Sequence, residues 1–326
     1  MKRFMSPEYP EEKEQFDEER IVRMLRHPEG RVDVVLDTDT YNEGDDQFAL
    51  SYMVRSQEKM NVLGIYAAPF YSGTTTRADS PKDGMEKSYL EIMKLLDLLN
   101  RKDLYACAKK GSEGYLKNER EPVRSEAAED IVRLARLHSP ENPLYVVGIA
   151  VLTNIASALL IAPEIKDRIV VVWLGGHSLE WPDNYEFNLR QDVAAARVVF
   201  GCGVPLVHLP CKGVVSGFTI TGPELDTWVK GKNELCDHLS ELLIDSVKSR
   251  NPYPTWSKAL WDVTAVAWLL GGFMEDRLEK SPIPEYDHQW GFDKTRHPIR
   301  YVYSIDRDKL MLDLIEKITK PGNTGL

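Results

Sequence analysis

The apolar residues of this chain fall into short continuous runs that alternate with stretches of helical periodicity. The runs have the length and composition of buried β-strands, and they occupy residues 34–36, 61–68, 144–151, 169–174 and 205–209. Helical spacing lies between them, at residues 48–54, 86–99, 125–138, 155–161 and 192–201. This alternation predicts an α/β fold whose mainly parallel mixed sheet is covered by helices on both faces.

The rest of the pattern predicts how the chain begins and ends. Residues 1–31 form a polar leader with a short helix at 21–25, to which we assign no chemistry. Further helices are expected at residues 235–248, 262–270 and 308–318, strands at 104–107 and 299–305, and loops at 69–84 and 282–300. Because no repeat or low-complexity linker divides residues 32–326, we expect them to form a single domain.

Composition narrows the classes of ligand. The 326 residues are 43% apolar, which is ample for a core, and they carry a formal net charge of −10. That charge argues against a nucleic-acid partner, which would require a basic face, and suits a small neutral or cationic ligand better. The four cysteines show no metal-binding spacing and are interpreted as reduced thiols, and no run is long enough for a membrane span. We therefore expect a cytoplasmic protein without a membrane partner.

An acidic loop follows the first predicted strand. Four aspartates, Asp37, Asp39, Asp45 and Asp46, lie within ten residues between that strand and the next helix. Carboxylates at this density repel one another unless a cation lies among them, and all-oxygen ligands favour calcium or magnesium. The carboxyl end of a strand is also where open α/β sheets place their binding sites.

Polar groups stand at later strand–helix junctions as well. Residues 149–154 offer main-chain carbonyls and the pair Thr153 and Asn154, and residues 175–177 read Gly-Gly-His. Glu186 and Asn188 follow soon afterwards, and Trp261 and Asp262 open an apolar helix. In a parallel sheet these junctions share one edge, which predicts a single site.

In this order the motifs resemble the inosine–uridine preferring nucleoside hydrolase family across residues 32–270. The resemblance depends on the Asp-rich loop, the Leu-Thr-Asn helix start, Gly-Gly followed by Glu-Phe-Asn, Asp192 with the alanines 194–196, and the late Asp262. It implies a Rossmann-like nucleoside hydrolase fold and calcium-dependent hydrolysis of the N-glycosidic bond of ribonucleosides, giving free base and ribose. A homodimer or homotetramer is also expected.

The resemblance assigns roles to individual residues. It implies that Ca²⁺ is held by Asp39, Asp46, Asp262 and the main-chain carbonyl of Ile149, and that Asp39 also takes a proton from the attacking water. The ribose would be held by Asp45, Glu186 and Asn188, which would also stabilise positive charge on the ribosyl group as the bond breaks. Asp37 would support the loop from behind the metal by hydrogen bonds to loop backbone.

The sequence departs from the family pattern in two places. Two additional residues separate Asp39 from Asp45, which either form a bulge around Gly44 or place Asn42 or Glu43 inside the pocket. Trp261 replaces the histidine that many members carry before the late aspartate, and an indole cannot protonate the departing base. The leaving group would then depend on stacking against Trp261 or on another acid, for which the candidates are His177, Glu180, His288 and His297.

Two other functions fit parts of the sequence. The run from Leu36 to Thr40 also matches the opening motif of haloacid-dehalogenase-like phosphatases, with Asp37 as nucleophile, Asp39 as acid–base and Mg²⁺ as cofactor. That hypothesis leaves Asp45, Asp46 and the Glu-Phe-Asn segment unexplained. A ribose-binding or nucleoside-binding protein without turnover is the other alternative, supported by the missing histidine.

Overall fold

A computed structural model describes residues 16–71, 73, 77–248 and 253–320. Their main sheet has eight strands in the order β3-β2-β1-β4-β5-β6-β12-β9. The strands, in chain order, are β1 Val32–Thr38, β2 Met60–Ala67, β3 Ala108–Lys110, β4 Leu144–Gly148, β5 Ile169–Leu174, β6 Leu206–Leu209, β7 Thr219–Thr221, β8 Ser257–Ala259, β9 Met274–Lys280, β10 Ile283–Pro284, β11 Trp290–Gly291 and β12 Pro298–Ile305. Strands β7 with β8 and β10 with β11 form two small antiparallel pairs outside the sheet.

Helices connect the strands of the main sheet. They are α1 Glu18–Met24, α2 Asp45–Arg55, α3 Pro81–Leu98, α4 Glu126–Ala135, α5 Thr153–Ile161, α6 Phe187–Gln191, α7 Val193–Gly201, α8 Gly222–Glu224, α9 Glu234–Lys248, α10 Val263–Leu270 and α11 Arg307–Thr319. None of the helices in the described ranges is long and apolar enough to cross a bilayer.

The sheet is parallel from β3 to β12, and β9 pairs antiparallel with β12. Two separate groups of buried apolar side chains pack on its two faces: α2, α3, α9, α10 and α11 contribute to one, and α4, α5 and α7 to the other. The predicted fold, a mainly parallel mixed sheet between two helical layers, is therefore confirmed. Its parallel strands β1, β4 and β5 end at one edge, where the acidic loop and the Gly-Gly turn begin.

Several predicted boundaries were wrong. Residues 102–107 form a 3₁₀ helix, and the adjacent strand is Ala108–Lys110. Helix α3 begins at Pro81, because Ser80 caps it by accepting a hydrogen bond from the backbone N–H of Asp83. The loop predicted at 69–84 therefore ends at residue 80. Residues 72 and 74–76 of that loop lie outside the described residues. The region 282–300 contains the β10–β11 pair and the start of β12.

The sequence analysis did not predict strand β9, and it did not place helix α1 in the folded domain. Strand β9 (Met-Glu-Asp-Arg-Leu-Glu-Lys) has no apolar alternation, because it is an edge strand with both faces largely exposed, and pairing with β12 determines its structure. Helix α1 belongs to the folded domain, because Ile21 and Leu25 are fully buried in the core.

Candidate active site

A cleft of about 280 Å³ opens at the carboxyl edge of the sheet. Residues that directly follow three neighbouring strands line it: Asp39 after β1, Ile149 after β4, and Leu174 at the end of β5. Its floor is acidic and its walls carry aromatic and basic side chains. The position agrees with the general rule for open parallel sheets.

Three carboxylates converge on the floor of this cleft. Asp45 and Asp46 form the first turn of α2, Asp262 immediately precedes α10, and ligand oxygens of all three lie within 4.8 Å of one another. Asp262 occupies the N-cap position of α10 but makes no side-chain capping bond. Its carboxyl instead faces those of Asp45 and Asp46, and burial, followed by the charges of these two neighbours, raises its pKa. Two stretches more than 200 residues apart therefore build one cluster.

Asp39 faces this cluster from the end of β1. It is 2% exposed, and its Oδ2 has no hydrogen-bond partner among the described residues. Burial raises its pKa well above the usual range, and the charges of Asp46 and Asp45 raise it further. The compact trio contains Asp45 and not Asp39, which differs from the ligand set expected from the resemblance.

The donor set fits a hard divalent cation. Burial and mutual repulsion raise the pKa of Asp46 to about 7, and the pKa of Asp262 well above its ordinary value. Besides Asp39 Oδ2, the Oδ1 of Asp45 lacks a hydrogen-bond partner in the described chain. Buried carboxylates with raised pKa values and unsatisfied oxygens gain most from a cation, and an all-oxygen set suits Ca²⁺ or Mg²⁺. The Thr38 hydroxyl keeps Asp46 oriented by donating to its Oδ1 at 2.6 Å.

Asp37 lies behind the cleft and does not line it. It is fully buried, and its Oδ1 accepts a 2.8 Å hydrogen bond from Asn154 Nδ2, so its partner is a side chain and not the loop backbone that we expected. Burial raises its pKa to about 7. A carboxylate buried in this way has no access to a substrate, which disfavours the phosphatase hypothesis with Asp37 as nucleophile.

Asn154 ties this buried carboxylate to the neighbouring loop. Its Oδ1 accepts from the backbone N–H and the hydroxyl of Ser112, at 2.8 and 2.7 Å. We expect Asn154→Ala to lower the free energy of unfolding by about 2–4 kcal/mol, because it leaves several buried polar groups without partners. Urea denaturation measures this change. The exposed Asn142→Ala is the matched control, and a loss below about 1 kcal/mol for Asn154→Ala would contradict the role.

Asn188 and Glu186 lie beside the acidic floor, on and before the short helix α6. Asn188 Nδ2 donates to the carbonyl oxygens of Ile149 and Leu174, at 3.2 Å each, which fixes the main chain at the ends of two strands. Glu186 Oε2 accepts from the backbone N–H groups of Gly176 and Leu189. That oxygen therefore caps α6 and holds the Gly-Gly turn, a structural task that the resemblance did not suggest.

The two additional residues of the acidic loop place side chains in the cleft. Asn42 and Glu43 both line it. Glu43 Oε2 accepts a 2.8 Å hydrogen bond from Lys258, whose Nζ lies 3.8 Å from Asp45 Oδ1 and 4.1 Å from the centre of the Trp261 ring. Lys258 is buried, so its ammonium group partly neutralises the acidic floor from behind. The sequence analysis missed this lysine, which carries no motif of its own.

Trp261 and His177 both line the cleft. Trp261 donates from Nε1 to the Ser216 hydroxyl at 3.0 Å, and the Lys258 ammonium lies over one face of its ring. His177 Nδ1 accepts from the backbone N–H of Lys212 at 3.4 Å, and its Nε2 has no partner among the described residues. Burial, and then the charge of Lys212, lowers the pKa of His177 to about 4. The imidazole is therefore neutral at pH 7 and presents Nε2–H as a donor.

The other proposed acids lie away from the cleft. His297 is fully buried between the carbonyls of Pro298 and Phe200. Glu180 lies near Tyr301 and Arg277, and His288 packs against Tyr185 outside the cleft lining. Among the described residues, none of 72–84 and none of 228–238 lines the cleft.

The walls nearest the mouth contain residues that the sequence analysis missed. They are Tyr185, Phe187, Arg190, Cys211 and Lys212. Tyr185 and Arg190 flank the Glu-Phe-Asn motif and Phe187 is its central residue, and that proximity was the available signal. Cys211 and Lys212 follow β6, whose carboxyl end shares the same edge, so the strand-end rule identifies them too.

Comparisons with known proteins agree with this geometry. Residues 34–311 match the model of the family described as inosine-uridine preferring nucleoside hydrolase. Over 171 residues the chain is 28% identical to the non-specific ribonucleoside hydrolase RihC of Salmonella schwarzengrund (strain CVM19633), a match that covers 51% of this chain and 54% of that relative. It therefore spans about half the length of that curated relative.

Solved structures share the fold over nearly their full length. A purine-preferring ribonucleoside hydrolase from Gardnerella vaginalis superposes with a TM-score of 0.68 at 20% identity, covering 88% of this chain and 98% of that one. The plant nucleoside hydrolase PpNRh1 gives a TM-score of 0.69 at 17% identity, with coverages of 89% and 99%. The family model spans far more than half of the chain, so this protein belongs to the inosine-uridine preferring nucleoside hydrolase family.

Proposed function

We propose that this protein hydrolyses the N-glycosidic bond of ribonucleosides, giving free base and ribose. One observation carries the proposal: Asp45, Asp46 and Asp262 converge at the floor of a cleft, with Asp39 facing them. Family membership and the ribonucleoside hydrolase name of the curated relative support the same activity.

The residues that would hold a divalent cation are Asp39, Asp46, Asp262 and the carbonyl of Ile149, with Asp45 close enough to join them. We propose calcium, which the resemblance to the family implies and which the all-oxygen donors suit. When bound, the cation would lower the pKa of water and orient it together with the ribose hydroxyls. Asn188 holds the Ile149 carbonyl in place through its 3.2 Å hydrogen bond.

Asp39 is the proposed general base. Its Oδ2 has no other partner in the described chain and is available to accept a proton from the attacking water. Asp45, Asn188 and Glu186 would contact the ribose. Positive charge develops at C1′ as the bond to the base nitrogen breaks and the bond to the water oxygen forms. The negative charges and dipoles of these side chains, together with the carboxylates of the floor, would stabilise it.

The departing base needs a proton on its nitrogen. Trp261 cannot supply one, and neutral His177 can offer a hydrogen bond from Nε2–H but is not an acid at pH 7. We propose that this hydrogen bond and the Trp261 ring stabilise the departing base, and that solvent water donates the proton to its nitrogen while the proton taken up by Asp39 returns to solvent.

This role for His177 makes a testable prediction. His177→Gln keeps an N–H donor near the position of Nε2, so kcat should fall less than tenfold, whereas loss of a true general acid costs about 10²–10⁴-fold. The pH profile of kcat for the parent protein should show no limb near pH 6.5, the ordinary pKa of histidine, and the profile of the variant should have the same shape. Steady-state kinetics between pH 5 and 9 tests both points, and a hundredfold loss with a shifted limb would show that His177 is protonated during turnover.

One experiment separates this function from the alternatives. Purified protein is incubated with a panel of nucleosides and with a phosphoester, with calcium and with a chelator. Calcium-dependent release of base and ribose supports the hydrolase, whereas phosphate release would support the phosphatase with Asp37 as nucleophile. Saturable nucleoside binding without products would identify a binding protein. We further propose that the protein acts in nucleoside salvage in the cytoplasm and that it assembles as a homodimer or homotetramer.

A further inference from the structure

The charges around the cleft are segregated. The floor carries Asp39, Asp45, Asp46 and Asp262, whereas Arg190 and Lys212 line the walls. The net charge of −10 suggested a neutral or cationic ligand, but that sum says nothing about where charges lie. The cations of the walls require their own explanation.

Arg190 and Lys212 form no direct ion pair in the described part of the chain. Neither forms a salt bridge within 4.0 Å of a carboxylate there. Lys258, by contrast, is buried and bonded to Glu43 at 2.8 Å. The cation behind the floor is therefore satisfied by the protein, whereas the two on the walls are available to a ligand.

Aromatic side chains support both wall cations. The Arg190 guanidinium lies 4.8 Å from the centre of the Tyr185 ring and 5.3 Å from that of Phe187. Stacking of this kind uses the face of the guanidinium and leaves the N–H groups at its edge free for a planar or tetrahedral anion. Lys212 Nζ lies 5.7 Å from the centre of the Trp181 ring.

Each cation is also near one side of the substrate position. Burial raises the pKa of Glu186, and Arg190 lies close enough for its charge to oppose that shift, whereas burial and then the charge of Lys212 lower the pKa of His177. Glu186 belongs to the proposed ribose contacts, and His177 to the proposed base contacts. The two cations therefore flank a bound nucleoside, whose neutral ribose and base offer them no charge to bind.

We propose that the substrate of this protein is an anionic ribosyl compound, whose phosphate or carboxylate group is bound by the nearer of the two wall cations, Arg190 on the ribose side or Lys212 on the base side. The inference rests on the proposed hydrolase function and names its substrate class. Charge-assisted hydrogen bonds of this kind favour an anionic substrate over its neutral counterpart by about ten- to hundredfold.

The test compares substrates that share a ribosyl–base bond. With calcium present, kcat/KM is measured for uridine, uridine 5′-monophosphate and orotidine, which carries a carboxylate on the base, and for inosine and inosine 5′-monophosphate. We expect kcat/KM of at least one anionic compound to exceed that of its neutral counterpart tenfold or more. Which anionic compound is preferred shows whether the protein recognises a phosphate or a carboxylate. The Arg190→Gln/Lys212→Gln double variant should bring that ratio close to one, and high salt should reduce it.

The exposed pair Arg26→Gln/Lys94→Gln is the matched control and should leave the ratio unchanged. Cleavage of neutral nucleosides as fast as, or faster than, the anionic compounds would overturn the proposal and leave the hydrolase function standing. An anionic preference that survives the double variant would overturn the assignment to Arg190 and Lys212. Absence of cleavage of every compound, with calcium bound, would overturn both the substrate class and the hydrolase function.

Discussion

Asp39→Ala should abolish nucleoside hydrolysis, lowering kcat/KM by about 10³-fold or more. The variant removes the proposed base, which alone contributes about 10²–10⁴-fold, together with a proposed ligand of the cation. Asp39→Asn keeps the volume of the side chain but cannot accept the proton, so its kcat/KM should be lowered nearly as much as that of Asp39→Ala. Both variants are assayed by release of free base in saturating calcium.

The control is Asp287→Asn, an exposed aspartate outside the cleft, which should keep full activity. Thermal denaturation shows whether the Asp39 variants remain folded. Removing a buried carboxylate from a repelling cluster relieves electrostatic strain, so the cation-free variants should be at least as stable as the parent. Near-full activity in a folded Asp39→Ala variant would show that the base is another residue.

Calcium should stabilise the folded protein strongly, and more at pH 8 than at pH 5. A ligand present at a hundred times its dissociation constant stabilises the native state by about 2.7 kcal/mol, which corresponds to roughly 5 °C in Tm for a chain of this size. Protons compete with the cation for the same carboxylates, so the shift should shrink as the pH falls.

The sign of the pH effect follows from the raised pKa values. An aspartate in the unfolded chain titrates near 3.8, whereas Asp37 and Asp46 titrate at about 7 in the folded protein. Between these values the folded state binds more protons, so these groups contribute stability below pH 4 that is lost as pH rises through 7. Calcium replaces the missing protons at Asp46, and its benefit is largest where that carboxyl is ionised.

Differential scanning fluorimetry at pH 5 and pH 8, with calcium and with a chelator, measures this effect. Comparing the two states at each pH cancels contributions from distant groups such as Asp276, whose pKa is lowered to about 2 by hydrogen bonds from His27, Trp268 and Arg300 despite its burial. Asp262→Asn should abolish the calcium shift, and Asp287→Asn should preserve it. Equal shifts at the two pH values would mean that the cation binds elsewhere.

The main elements could be predicted because their signals are local. The run Ile169–Leu174 forms β5 with the predicted limits, and Ser125 caps α4 by accepting from the backbone N–H of Ala128. Capping and apolar periodicity depend on neighbours within a few residues. The strand-end rule then placed Asp39, Asp46, Ile149 and Asp262 on one cleft, and the structure brings them together there.

Contacts between distant residues could not be predicted in the same way. Nothing near Lys258 in sequence indicates that its ammonium group lies 2.8 Å from Glu43 and beneath the Trp261 ring. Asn154 as the partner of Asp37, and Glu186 as the acceptor of the Gly176 N–H, likewise depend on the tertiary arrangement of the strand ends.

The sequence by itself determined the parallel α/β architecture, the edge of the sheet at which the acids gather, and the family. These follow from periodicity and from motif order, which are properties of the chain read in one dimension. The tertiary structure decided that Asp45 belongs to the compact trio, that His177 is neutral, and that Arg190 and Lys212 form no direct ion pair among the described residues. Charge balance, burial and hydrogen-bond satisfaction depend on distances between side chains, which exist only once the chain has folded.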